Sequence, residues 1–116
     1  MAIYQLKFAR VFTYKFHQAF EFYSQTLGLK VLEKNDKIAY ALFDTGAAKL
    51  ILEEKISSEL IGRYTGLSLT VQDIEATFNQ LGNKGVIFRG YPAKQYWGGY
   101  LVDFEDYDGN ILTLSG

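Results

Sequence analysis

Apolar residues change their spacing twice along this chain, in the same order each time. IYQLKFARVFTY (3–14) alternates β-branched and aromatic residues with polar ones, which predicts a strand. In KFHQAFEFYSQTLG, Phe16, Ala19, Phe20, Tyr23 and Leu27 recur at three- and four-residue steps, the stripe of an amphipathic helix. Gly28 follows and supplies the left-handed residue that ends such a helix. LKVLEK and KIAYALFD flank Asn35 and Asp36, predicting two strands joined by a tight hairpin turn. Gly46 and two alanines then lead into KLILEE, a further strand. The first half therefore reads β-α-β-β-β.

The second half repeats that order. GLSLTV sets Leu67, Leu69 and Val71 on one face and Gly66, Ser68 and Thr70 on the other. Asp73 is placed to cap IEATFNQLGNKG, a helix whose buried stripe is Ile74, Phe78 and Leu81 and whose end falls at Gly82 or Gly85. VIFRGY, GGYLVDFE and NILTLS supply three more strands, and SSELIGRY (57–64) links the halves. Aligning first with first strand and last with last sets Phe8 against Gly66 and Ile51 against Thr113. An internal repeat of this kind outweighs any single propensity. The expected fold is α+β, one domain over 1–116 built from two βαβββ modules, 1–56 and 65–116. Each would form a curved mixed sheet with its helix outside, and the two concave faces would enclose a central cavity.

Composition narrows the function classes. The 116 residues carry 12 basic and 13 acidic side chains, a net charge of −1, and show no basic stripe for nucleic acid. There is no cysteine, so disulfides, thiolate nucleophiles and sulfur metal sites are excluded. No apolar run reaches the length of a membrane helix, and MAIYQLKFAR lacks the apolar region of a signal peptide. A cytoplasmic protein without nucleic-acid or membrane partners is expected.

Asp103, Glu105, Asp106 and Asp108 crowd the last stretch of the chain and raise the question of a metal. The D-x-D-G spacing is a fragment of a calcium loop, but Phe104 holds that loop's first position and no glutamate holds its twelfth. DYDGN reads instead as a turn, with Asp106 and Asp108 accepting backbone hydrogen bonds and Gly109 and Asn110 supplying positive φ.

Three segments, FEFYSQTLGLKV, TVQDIEATFNQLGNKGVIF and FEDYDGNILTL, resemble the signature stretches of the glyoxalase / bleomycin-resistance / extradiol-dioxygenase superfamily, the vicinal-oxygen-chelate fold. The resemblance spans nearly the whole chain, with Tyr107 standing where that family usually has proline. It is specific for fold and weak for function, since the fold hosts lyases, dioxygenases, epimerases and metal-free drug binders. Metal-dependent members draw their ligands from the first and last strand of each module. The equivalent positions here are Phe8, Ile51, Gly66 and Thr113, of which only Thr113 carries even an oxygen. The only histidine, His17, lies just off the helix stripe and reads as solvated. No metal and no cofactor are therefore expected.

The resemblance also says which side of each strand looks inward. Phe8, Arg10 and Phe12 come from the first strand, Ala39 and Ala41 from the middle of that module, and Ile51 and Glu53 from its last strand. The second module contributes Gly66, Ser68 and Thr70, then Leu101, Asp103, Ile111 and Thr113. Tyr96 and Trp97 occupy the KQYWGG loop, at the place of a cavity rim. Arg10 and Asp103 suit each other, or a ligand's anionic and cationic groups respectively.

The leading reading is metal-independent binding of a small, mostly apolar or aromatic molecule, with antibiotic or toxin sequestration as its form and a homodimer as its assembly. The alternative is a lyase or isomerase of the same superfamily with an unorthodox site, Asp103 or Glu53 acting as base and Arg10 stabilising negative charge. A third class is an interaction module whose cavity Phe8, Phe12 and Ile51 fill.

Overall fold

A strand that must be buried on both faces needs a neighbour on each side, and both halves of the chain meet that need in the same way. The computed structural model describes residues 2–116, and the chain divides into two compact units, Met1–Ser57 and Ser58–Gly116. The first contains β1 (Phe8–Thr13), α1 (Phe16–Glu21), β2 (Lys30–Asn35), β3 (Tyr40–Asp44) and β4 (Lys49–Glu54). Its sheet has the order β1-β4-β3-β2, with β1 and β4 parallel and the other pairs antiparallel. The second contains β5 (Tyr64–Thr70), α2 (Ile74–Asn83), β6 (Ile87–Phe88), β7 (Ala93–Lys94), β8 (Tyr100–Glu105) and β9 (Ile111–Ser115). Its order is β5-β9-β8-β6, β5 and β9 again parallel, with β7 also paired to β8.

In the first unit the helix stripe covers one sheet face. Phe16, Ala19 and Tyr23 are buried, and the rings of Phe20 and Tyr23 lie 5.7 Å and 6.0 Å from that of Phe43. Val11, Ala41, Leu50 and Leu52 complete this core, all with almost no exposed surface. Full burial of each large apolar side chain contributes about 1.5–3 kcal/mol, which makes this face the main source of the unit's stability.

Three details depart from the periodicity. The strand predicted over 3–14 is confined to Phe8–Thr13, and Ile3, Tyr4 and Leu6 stand exposed, so the alternation ahead of Phe8 serves no buried face. The helix predicted over 15–28 turns after Glu21 into a π-helical turn, Phe22–Thr26. There the Ser24 hydroxyl donates to the Phe20 carbonyl at 2.7 Å, drawing on the acceptor that the α-ladder would use. The hairpin connection is longer than a two-residue turn: Asn35 Oδ1 accepts from the N–H groups of Lys37 and Ile38, and Ala39 takes a φ of 51° before β3 begins. β2 is the outer strand, exposed along its whole length and broken by a bulge between Val31 and Glu33. At the next turn Asp44 Oδ1 accepts from Gly46 N and Lys49 Nζ, which together hold its carboxyl below the usual carboxylate range.

The second unit repeats the plan with firmer helix ends. Asp73 Oδ1 accepts from Ala76 N at 3.0 Å, the expected cap. At the other end Val86 N donates to Leu81 O and Gly85 N to Gly82 O, with Gly85 at φ 91°. This paired arrangement assigns the stop to Gly85 and leaves Gly82 within the helix. Ile74 and Leu81 are buried, and Phe78 stacks 4.5 Å from Phe88. Of VIFRGY only Ile87 and Phe88 pair as strand.

The acidic stretch is a turn, and a buried one. Asp106 Oδ1 accepts from the N–H groups of Asp108 and Asn110, each at 2.9 Å, while Asp106 Oδ2 accepts from Asn110 Nδ2. Asn110 Oδ1 in turn accepts from Gly62 N at 2.7 Å, tying the segment before β5 to the turn before β9. Gly109 supplies the positive φ; Asn110 does not share it, and contributes its side-chain amide instead.

Two consequences are measurable. Phe43→Ala is expected to lower unfolding free energy by about 3–5 kcal/mol, seen as an earlier urea midpoint. Asp106→Ala strands several buried donors and is expected to cost about 2–4 kcal/mol in the same assay; a loss within experimental error would mean that the turn holds without its carboxylate.

Candidate functional site

Each sheet has a second face, turned away from its helix, and strand register decides which side chains share it. On the first sheet Arg10 pairs with Ile51 and Ile51 with Leu42, while Phe12 pairs with Glu53 and Glu53 with Tyr40. Directly opposed residues lie on one face, so Phe8, Arg10, Phe12, Ile51 and Glu53 stand together as expected, joined by Tyr40 and Leu42. Ala41 does not join them. It pairs with Leu52, has no exposed surface, and belongs to the helix-covered core beside Phe43. The Ala41 assignment is thereby corrected: the alternation of β3 exposes Tyr40 and Leu42, and the small residue makes room for the helix. Ala39 lies before the strand, its carbonyl accepting from Glu54 N.

The charges on this face pair locally. Arg10 Nε lies 3.1 Å from Glu53 Oε1, with the two side chains 51% and 28% exposed. Glu53 is thus the diagonal neighbour of Arg10 on its own sheet. Water screens such an exposed pair, so its contribution to stability is small, and a ligand anion could compete for Arg10. Tyr40 donates to Glu33 Oε2 at 3.4 Å; burial first, and then the charge of Glu33, raise its phenol above the ordinary value, so it remains a neutral donor. Phe8 is 40% exposed. The face is thus aromatic and aliphatic, crossed by one ion pair.

The second sheet carries different chemistry on the matching face. Ser68 pairs with Thr113 and Thr113 with Asp103, while Thr70 pairs with Ser115 and Ser115 with Leu101. Thr113 donates to Asp103 Oδ1 at 2.7 Å, and the hydroxyls of Thr70 and Ser115 share a 2.7 Å hydrogen bond. The Tyr64 hydroxyl stands 3.5 Å from that of Thr113. Gly66 sits where the register between Tyr64 and Ser68 shifts, at φ 74°, a bulge in which Thr65 Oγ1 donates to the Ile111 carbonyl. Ile111 and Leu101 supply the apolar part. Tyr64 and Ser115 were absent from the sequence-derived set because the bulge hides the parity of β5 and because a serine next to the terminal glycine gives no signal of burial.

Tyr96 and Trp97 stand outside the strands of the second sheet. Both lie in the turn between β7 and β8, closed by Gln95 N to Gly99 O and Gly98 N to Gln95 O. Tyr96 is fully exposed, and the Trp97 ring lies across Gly99, filling the space a Cβ would need there. His17 is exposed on α1, edge-on to Phe16.

A divalent ion does not fit the four equivalent positions. Phe8 and Ile51 offer hydrocarbon, Gly66 has no side chain and sits in a bulge, and the hydroxyl of Thr113 already donates to Asp103. Among the described residues no three His, Asp or Glu side chains gather as a metal cluster. Nor, among the described residues, is any helix long and apolar enough to cross a membrane.

Comparison with known proteins agrees with this geometry. The Glyoxalase/Bleomycin resistance protein/Dioxygenase superfamily matches residues 5–114. Among curated proteins, the uncharacterized protein YraH of Bacillus subtilis is 27% identical over 90% of this chain and 92% of its own. A superfamily member from Sphaerobacter thermophilus superposes with a TM-score of 0.83 at 26% identity, covering 97% of each chain. TnmS3, described as an antibiotic binding protein from Streptomyces, superposes with a TM-score of 0.82 at 27% identity, covering 98% of this chain and 96% of its own. The shared architecture is α+β, with two curved mixed sheets and few helices. By sequence and by fold together, this chain is a member of the Glyoxalase/Bleomycin resistance protein/Dioxygenase superfamily.

Proposed function

We propose that the chain binds a small, mostly apolar or aromatic molecule without a metal ion, sequestering an antibiotic or toxin as a cytoplasmic homodimer. The observation that carries this reading is the donor set: the positions that would hold the ion in chelating relatives are Phe8, Ile51, Gly66 and Thr113, on sheet faces that keep Phe8 exposed and Phe12 half-buried. Likeness to an antibiotic binding protein at 27% identity supports it.

In this reading, the rings of Phe8 and Phe12 stack on a planar ligand, and burying that surface drives binding. Arg10 meets an anionic substituent by exchanging it for Glu53. The second sheet, with Ser68, Thr70, Asp103 and Thr113, receives hydroxyl or amine groups. The lyase or isomerase alternative draws less support, because Asp103 Oδ1 already accepts from Thr113, and the other candidate base, Glu53, already pairs with Arg10, the group that would stabilise negative charge.

Two experiments test the proposal. Elemental analysis of untagged protein, incubated with zinc, nickel, manganese and iron and then desalted, is expected to find less than about a tenth of an equivalent of each; stoichiometric uptake would overturn the metal-free reading. A thermal-shift screen of planar aromatic antibiotics should then yield a ligand whose affinity changes little with salt and falls about tenfold in Phe12→Ala, the loss of one stacked ring. The absence of any binder across such a library would count against sequestration.

A further inference from the structure

One group of aromatic side chains stands on neither open face. Phe78 in the middle of α2, Tyr91 and Pro92 ahead of β7, and Tyr100 at the start of β8 line a cavity of about 400 Å³ in the second unit, with Glu75 at its wall. A space of that size suits a small organic ligand. Its floor rests on the core: Phe78 lies 4.5 Å from Phe88, which lies 6.0 Å from the fully buried Phe104. Its outer wall is Tyr91, 5.7 Å from Phe78 at an interplanar angle of 49° and 82% exposed. Gly90 turns the chain at φ 111° and Pro92 restricts the backbone of Tyr91 before it, so the segment holds that phenol outward.

The lining selects a charge. Aromatic faces carry the negative part of their quadrupole, and three aromatic residues line this half-open space. Neither lysine nor arginine lines it, and Glu75 is its only carboxylate. Asp73 caps α2 by accepting from Ala76 N, so the carboxylate of Glu75 is not the one that holds the cap. Aromatic walls with a single carboxylate favour a cation carrying an apolar shell over an anion or a neutral hydrocarbon.

We infer that the pocket lined by Phe78, Tyr91, Tyr100 and Glu75 is a second binding site, specific for a small organic cation such as a quaternary ammonium. It shares no residue with the sheet faces of the proposed function and stands independently of that reading.

The probe is benzyltrimethylammonium, titrated into the full chain by calorimetry and by NMR, against a neutral carbon isostere in which C(CH3)3 replaces N(CH3)3. Saturable binding is expected with a dissociation constant on the order of 1 mM, and the isostere about tenfold weaker, from the cation–π contribution. Resonances of Phe78, Tyr91 and Tyr100 should shift. Tyr91→Ala, which removes an exposed ring and so spares the fold, and Glu75→Gln should each weaken binding about three- to tenfold, while Phe12→Ala leaves it unchanged. No saturation up to about 50 mM, equal affinity for the isostere, or wild-type affinity in Tyr91→Ala would each overturn the assignment.

Discussion

Everything in each unit depends on one long-range constraint: the last strand must return to lie parallel beside the first. β4 inserts between β1 and β3, and β9 between β5 and β8, so the returning strand becomes central and is buried on both sides. Parallel neighbours cannot be joined by a tight turn, and a crossover is obligatory. The helix and the intervening strands provide it, and the helix covers the face that the crossover leaves open. The same constraint sets residues of the first and last strand of each unit side by side on one face, Arg10 with Ile51 and Ser68 with Thr113. The site is a by-product of closing the sheet.

Two sheets built on one plan have diverged in what they present. The first offers rings and aliphatic groups around a single ion pair; the second offers hydroxyls already bonded among themselves and to one carboxylate. The backbone plan tolerates this, because these side chains lie on the sheet face turned away from the helix-covered core. The acidic turn belongs with the core. Its carboxylate organises backbone and amide groups that would otherwise be buried without partners.

What was legible in the sequence followed the strength of the local signal. Strand and helix order could be read apart from the two-residue β7, as could the Asp73 cap and a glycine stop for each helix, since each is fixed by a residue's own backbone preference. The face of Ala41 could not. A small side chain suits either an open cavity or a close helix, and only pairing with Leu52 decides between them. The Asn35 turn ran longer than its dipeptide suggests because the Asn35 side chain caps two successive N–H groups. The Gly66 bulge left no trace in the alternation of GLSLTV. The aromatic pocket beside α2 escaped notice for a related reason: Phe78 reads as core stripe, and nothing local shows that Tyr91 and Tyr100 meet it.

The outer strand β2 has a consequence for how the protein behaves in concentrated solution. Its free row of backbone groups would template the addition of a foreign strand, and Val31 and Leu32 would make such growth favourable. Lys30, Glu33 and Lys34 stand on that edge, and the bulge beside Glu33 breaks its regular spacing. A strand arriving there would have to strip water from three charges and match an interrupted ladder. The edge thus acts as a guard against cross-β polymerisation, built from charge and an interrupted register.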